Sequence, residues 1–281
     1  MTFLLLRINL NSYKAPGSVN CHQHTHFRHN DFMKHILSSR IFLPALLGWA
    51  ATSLFSVSHA DERRFAYSYE VLTYIPGSVE LESWMTWKDR DNGFGRFDFR
   101  HELELGVTEK FSLGLYFADW RYQEGQGESF HDFAVEGIYN LSNANTDWIG
   151  ASVYGEVKFA KDFLELEGKL LLQKNFGPLA IVYNAIIEAE WEDPDLVTTK
   201  GVVGQTGGIS YMFSPHFTGG FELLSETEFP GWGASGDTSL FFGPNVSFRG
   251  GKHYLTAAAL WEMTETGEPD FQIRTIWGID F

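Results

Sequence analysis

From Val79 to the end of the chain, apolar and polar residues alternate with period two, and this pattern decides the fold class. The last segment shows it most plainly. Phe271, Ile273, Thr275, Trp277, Ile279 and Phe281 share one parity, and Gln272, Arg274, Gly278 and Asp280 the other, with Ile276 the exception. Successive residues of a strand point to opposite faces, so one apolar parity predicts a strand that is apolar on one side only. The pattern recurs in Val79–Trp87, Phe97–Leu105, Leu113–Phe117, Phe133–Leu141, Ala151–Phe159, Leu164–Leu172, Ile181–Trp191, Thr206–Phe213, Phe217–Leu223 and Leu240–Phe248. The run Tyr254–Trp261 is apolar on both faces. That makes about twelve segments, most of them near the 9–11 residues of a tilted strand crossing a bilayer.

The connections fall into two classes. Short ones follow the even-numbered segments: Val107–Lys110, Ser142–Asp147, Asn175–Pro178, Ser214–His216 and Arg249–Lys252. Longer polar ones follow the odd-numbered segments: Asp89–Asn92, Gln123–Ser129, Asp193–Lys200, Thr227–Asp237 and Thr264–Asp270, with the short Ala160–Asp162 as the exception. Alternating short and long connections predict an all-β fold, a transmembrane up-and-down antiparallel β-barrel of about twelve strands over residues 79–281. An even strand number brings both ends to the periplasmic side. A soluble β-sandwich also alternates, but its strands average nearer five or six residues.

The first 60 residues read differently. Met33, with Lys34, His35 and Arg40 before the apolar run Ile41–Val57 and Ser58-His59-Ala60 after it, has the three parts of a secretory signal peptide, residues 33–60, cleaved near Ala60. Residues 1–32 then form an upstream extension, untranslated or disordered, that includes Cys21 and the tract His22, His24, His26 and His29; a Cys/His tract is able to bind metal. Removing residues 1–60, with Arg7, Lys14, Arg28, Lys34, Arg40 and Asp31, leaves 16 basic and 35 acidic residues, net −19, and no Cys. Such an acidic chain excludes nucleic acid as a partner. Aromatic residues at 16% and 28 Gly fit many strands better than a helical enzyme. Residues 61–78, with Arg63, Arg64, Tyr67, Tyr69 and Tyr74, are expected in the periplasm, in the lumen as a partial plug, or as a short extra strand.

Three stretches carry a resemblance: Gly106-Val107-Thr108-Glu109-Lys110-Phe111-Ser112-Leu113-Gly114-Leu115-Tyr116, Leu141–Gly155 and Phe241–Leu255. They are similar to motifs of small proteobacterial outer-membrane barrels, and the chain resembles an uncharacterised, transporter-like family of unknown function among them. The terminal Trp277, Ile279 and Phe281 look like the assembly signal of such barrels. The resemblance implies the bacterial outer membrane as location, with outer-membrane lipid and the assembly machinery as partners.

With the apolar parity toward lipid, the polar parity lines the lumen. The candidate lining residues are Glu80, Glu82, Asp98, Arg100, Glu102, Glu104, Glu136, Glu156, Glu165, Glu167, Lys169, Glu188, Glu222 and Arg274. With Asp132, Glu190, Glu226 and Asp280 the acids number fifteen, against the six bases Lys88, Arg96, Arg100, Lys158, Lys169 and Arg274, a balance of −9. A narrow pore of that sign concentrates cations, so the leading expectation is a passive channel for small neutral or cationic solutes. The alternative is a closed structural barrel whose charges pair across strands, Glu82 with Arg100 for example. Gly204, Thr206, Gly208, Ser210, Gly220, Gly243, Asn245 and Ser247 form a small-residue side that leaves room for a ligand or for bulk such as Trp84, Tyr116, Trp120 and Tyr154.

A lipid-modifying enzyme is the remaining class. Ser83 and His101 share the lipid-facing parity of the first hairpin, but the following strand offers Leu113, Leu115 and Phe117 and no group to orient the imidazole. No catalytic residue and no cofactor is therefore expected. No metal constellation is visible in the sequence, and His131 with Asp132 and Glu226 with Glu228 read as solvated loop residues.

Overall fold

Polar side chains fill the interior of this molecule and apolar ones cover its exterior. The structure, a computed structural model, describes residues 63–71, 75–89, 95–234, 236–266 and 269–281. The readings of 1–32 and 33–60 lie outside the described residues. The strands are β1 (Val79–Asp89), β2 (Gly95–Thr108), β3 (Phe111–Gln123), β4 (Gly127–Phe130), β5 (Phe133–Ser142), β6 (Gly150–Ala160), β7 (Phe163–Phe176), β8 (Leu179–Glu192), β9 (Thr198–Ser214), β10 (Phe217–Pro230), β11 (Thr238–Gly250), β12 (His253–Glu262) and β13 (Phe271–Asp280). Each long strand pairs antiparallel with its sequence neighbours. β1 then pairs with β13, from Glu80↔Asp280 to Asp89↔Phe271, and closes the ring. β4 pairs only with the end of β3, so twelve strands form the wall. Closure leaves no strand edge to be satisfied by water, which is what hydrocarbon demands of a sheet.

The turn end of the barrel carries tight connections such as Gly177-Pro178 between β7 and β8, where Gly177 has φ +60°. Val79 and Phe281 lie at this end and meet through the Phe281 N–H on the Val79 carbonyl, 3.0 Å. The opposite, loop end carries the longer connections and β4.

Exposure separates the two faces. Leu166 is 43% exposed and Ile187 66%, whereas Glu80, Glu82 and Glu102 are 0% exposed. A soluble sandwich would show the reverse, so the apolar exterior is a lipid-facing surface. Aromatic rings gather on it at both ends: Trp87, Phe97, Phe99 and Trp120 at the loop end, Phe213, Phe217 and Phe248 at the turn end.

β3 departs from simple alternation. Glu102 faces Tyr116 but His101 faces Ala118, so Phe117 is an extra residue, a bulge. Beyond it the parity flips. Asp119 turns inward, and Trp120, expected as lumen bulk, lies outside against Phe99 with ring centroids 4.0 Å apart.

Residues 63–71 lie inside the ring. Ala66 and Tyr67 pack with Trp84, Leu224, Phe241, Tyr254, Ala258, Leu260 and Ile276, and Val71 with Ile138, Tyr154 and Leu171. This contact explains two anomalies of pattern, the inward Ile276 and the doubly apolar β12.

Candidate functional site

The inner segment is held chiefly through its backbone. The carboxylate of Glu222 accepts the N–H groups of Ala66, Tyr67 and Ser68 at 2.8, 2.8 and 2.9 Å. Asn184 accepts from the Tyr69 N–H at 2.7 Å and donates to the Tyr69 carbonyl at 3.0 Å. Gln173 accepts from Val71 N–H at 2.7 Å. Asn245 donates to the Arg64 carbonyl, and Ser247 and Thr256 donate to that of Arg63. Phe65, fully buried with Ala180 and Val182, fills the space over Gly208, where any Cβ would strike its ring. The room left by the small-residue side is thus taken by this segment.

Charge fixes the start of the segment. Arg63 donates to both oxygens of Glu82, at 2.9 and 3.0 Å, and its guanidinium lies 4.4 Å from the Trp84 ring centroid. Burial, the largest single influence, would lower the Arg63 pKa, but Glu82 together with Tyr69, Tyr254 and Glu104 outweighs it and holds the group well above its ordinary value. Burial pushes the Tyr67 and Tyr69 hydroxyls well above the phenol range. All three groups keep their ordinary charge at neutral pH.

Above the segment, toward the loop end, a cavity of about 250 Å³ remains. Its floor includes Tyr67, Tyr69, Trp84, Ile186 and Leu224. Asp98, Arg100, Glu165, Glu167, Lys169, Glu188 and Arg274 stand in its wall with Lys88, Asp119, Arg121, Asp132, Lys158 and Glu226. Acids and bases nearly balance there. Arg100 bonds Asp119 at 2.8 Å and Glu156 at 2.7 Å, and Lys158 bonds Glu165 at 2.7 Å. Arg121 bonds Asp98 at 2.7 Å, and Lys169 bonds Glu167 at 2.9 Å. Arg100 therefore does not pair with Glu82; the register sets Trp84 opposite Arg100 and Glu102 opposite Glu82. Asp119 and Arg121 were hidden from the sequence by the bulge. Asp132 is not a solvated loop residue: it is 1% exposed and 2.5 Å from His131 Nδ1.

Below, toward the turn end, the lumen is acidic. β1 and β2 set Glu80 opposite Glu104 and Glu82 opposite Glu102, and Glu136 follows across Gly114 of β3. Ligand oxygens of Glu80, Glu82 and Glu104 lie within 4.8 Å of one another, as do those of Glu102, Glu104 and Glu136. The hydroxyls of Tyr116 and Tyr154 donate to Glu136 at 2.8 and 2.9 Å, and that of Tyr254 donates to Glu80 at 2.7 Å and also bonds Glu82. A sequence search for His and Cys spacing passes over such a carboxylate group, because cross-strand register assembles it.

On the outer face, His101 Nδ1 and Ser83 Oγ are 3.0 Å apart. Ala118 stands opposite His101 on β3 and Trp277 opposite Ser83 on β13, so neither flanking strand supplies an acid or amide at that level. Trp277, Ile279 and Phe281 share the same face near the turn end, with Phe281 68% exposed.

The architecture matches known outer-membrane barrels. The COG4313 outer membrane channel from Pseudomonas putida F1 aligns with 80% of this chain and all of its own, at 12% identity and a TM-score of 0.54. The NanC porin aligns over 72% and 98%, at 8% identity and 0.48. LpxR from Salmonella typhimurium aligns over 72% and 99%, at 7% identity and 0.41. At these identities the likeness is one of fold. No curated protein matches the sequence. A family model spans residues 57–274, most of the chain and nearly the whole barrel, and the chain belongs to that family of unknown function, DUF6662.

Proposed function

We propose that this outer-membrane barrel is a narrow channel for small neutral or cationic solutes, held shut at rest by residues 63–71 acting as a plug. One observation carries the reading: a continuous segment crosses the lumen on side-chain hydrogen bonds, and a solute-sized cavity is left open above it. A structural barrel would need no such cavity, and a permanently open pore no such plug. Tight turns and both barrel termini belong at the periplasmic end. A solute arriving from outside therefore meets the ion-paired cavity first and the acidic lower lumen after the plug. Aromatic rings with nearby cations, such as Arg274 over Tyr67 at 4.2 Å, offer polarised stacking surfaces for a small polar molecule. In the same reading Trp277, Ile279 and Phe281 address the chain to the assembly machinery, so deletion of Phe281 lowers outer-membrane accumulation without changing the melting of barrel that has formed.

The test is planar-bilayer conductance of refolded protein. Wild type is expected to open rarely. Glu222→Ala removes the acceptor for three plug N–H groups and is expected to conduct more often, with K⁺ preferred over Cl⁻. Two folded proteins that both pass no current above background would mean a closed structural barrel.

A further inference from the structure

The turn-end acids crowd into one buried region of the lumen. They are Glu80, Glu82, Glu102, Glu104 and Glu136, and Arg63 is bonded to Glu82. Glu82 also receives the Trp84 Nε1–H at 2.6 Å, and Glu80 and Glu136 receive tyrosine hydroxyls. Glu102 differs. It is 0% exposed, and neither carboxylate oxygen has a hydrogen-bond partner among the described residues. Its oxygen nevertheless lies within 4.8 Å of oxygens of Glu104 and Glu136. A buried carboxylate without a hydrogen-bond donor beside two others is either protonated or balanced by something positive between them.

The backbone leaves space for this arrangement. Gly114 sits between Glu104 on β2 and Glu136 on β5. A Cβ there would overlap Glu102 Oε1 and the Glu136 side chain, so the two carboxyl groups converge over the glycine. The span of 4.8 Å suits one ion touching all three groups, because calcium–oxygen distances run about 2.3–2.6 Å.

We propose that Glu102, Glu104 and Glu136 form a binding site for one hard divalent cation, Ca²⁺ by preference, in the lower lumen. The donors are all oxygen, which selects hard cations over zinc or copper. The enclosure favours Ca²⁺ over Mg²⁺, which gives up its water reluctantly. The Tyr116 and Tyr154 hydroxyls hold Glu136 in place, as hydrogen bonds commonly orient a ligating carboxylate. Arg63 binds the adjacent Glu82, so ion and plug rest on neighbouring acids of one wall. The site does not depend on the channel reading, since a closed barrel would need the same neutralisation.

The experiment uses full-length mature protein refolded in non-ionic detergent with EDTA, then titrated with CaCl₂ alone at fixed pH. Thermal unfolding is followed, and Tb³⁺ emission sensitised by Tyr116 and Tyr154 provides a second readout. Wild type is expected to show a saturable rise in unfolding temperature and saturable Tb³⁺ emission that Ca²⁺ displaces. Glu102→Gln relieves repulsion, so without Ca²⁺ it should unfold no lower than wild type. Its apparent Ca²⁺ affinity should fall at least tenfold. Glu128→Gln, on the exposed strand β4, should keep the wild-type response and so excludes general charge screening. A flat wild-type titration overturns the site in favour of protonated carboxyl groups. A Ca²⁺ response unchanged in Glu102→Gln overturns it in favour of binding elsewhere.

Discussion

The two sides of the lumen hold their polar groups in different ways. On β1–β7 the inward side chains are mostly charged and bond one another: Arg100 joins Asp119 and Glu156, and Lys158 joins Glu156, Glu165 and Glu167. On β9–β12 they are mostly small, hydroxyl or amide, and they bond the backbone of residues 63–71 through Asn245, Ser247 and Thr256. The one deep acid there, Glu222, does the same with three N–H groups. Toward the loop end the charged wall is complete without the inner segment, because its ions satisfy each other; toward the turn end Glu82 takes its cation from that segment. The small-residue wall is incomplete without it, since its groups would be buried donors and acceptors with nothing to bond. One side is therefore a frame and the other a seat.

Breaking the frame should cost most. Arg100→Ala leaves Asp119 without its bonded cation and Glu156 with Lys158 alone, and removes the guanidinium from 3.8 Å over the Tyr116 ring. Leaving a buried carboxylate unpaired costs about 3–5 kcal/mol. Urea unfolding of refolded barrel measures this. A loss below about 1 kcal/mol would mean the frame is solvated like a surface ion pair.

The exterior, shared by both sides, comes next. Leu166→Arg sets a cation among lipid-facing side chains, at about 2–4 kcal/mol near the midplane. Its neighbour Glu167 faces inward, so Glu167→Gln should cost less by the same measurement. Glu167→Arg is a poorer control than lumen parity alone suggests, because Lys158 and Lys169 lie 3.5 and 2.9 Å from that carboxylate. Equal damage from Leu166→Arg and Glu167→Gln would contradict the assignment of faces.

The seat, together with Asn184 of the adjoining β8, should respond to loss of an amide more than of a charge. Asn184→Ala removes the acceptor for Tyr69 N–H and the donor to the Tyr69 carbonyl. A buried backbone group left unbonded costs about 1–3 kcal/mol. Proteolysis of the folded barrel reads the result directly: cleavage near residue 69 should quicken while the strands stay intact. Unchanged cleavage would mean that Glu222 and Gln173 hold the segment without it.

How much of this was legible follows from which interactions are local. The strands and their faces were readable because strand period is a local property, carried by runs such as Leu164–Leu172. The small-residue stripe of β9–β11 was readable as space, but its occupant Phe65 was not, because more than a hundred residues separate it from Gly208. Ile276 and the doubly apolar β12 were visible only as exceptions until Ala66 and Tyr67 gave them a partner. The Glu102–Glu104–Glu136 group depends on register across three strands, which alternation does not specify.

The smallest effect tests the one place where parity itself failed. Phe117 is the extra residue of β3, so the inward positions run 112, 114, 116 and then 119. Without Phe117, Tyr116 and Asp119 would be separated by one residue, and regular alternation would carry Asp119 and Arg121 into the lumen unaided. Deletion of Phe117 should therefore preserve the Arg100–Asp119 and Arg121–Asp98 bonds. It loses only a half-exposed ring stacked on His101 at 6.3 Å, worth about 0.5–1.5 kcal/mol as an aromatic contact. Deletion of Ala118 has the same effect on spacing but keeps the ring, so the pair separates the contact from the bulge. If both deletions prevent folding while Phe117→Ala does not, the bulge is required for more than parity, and the curvature it gives β3 beside β4 becomes part of the frame.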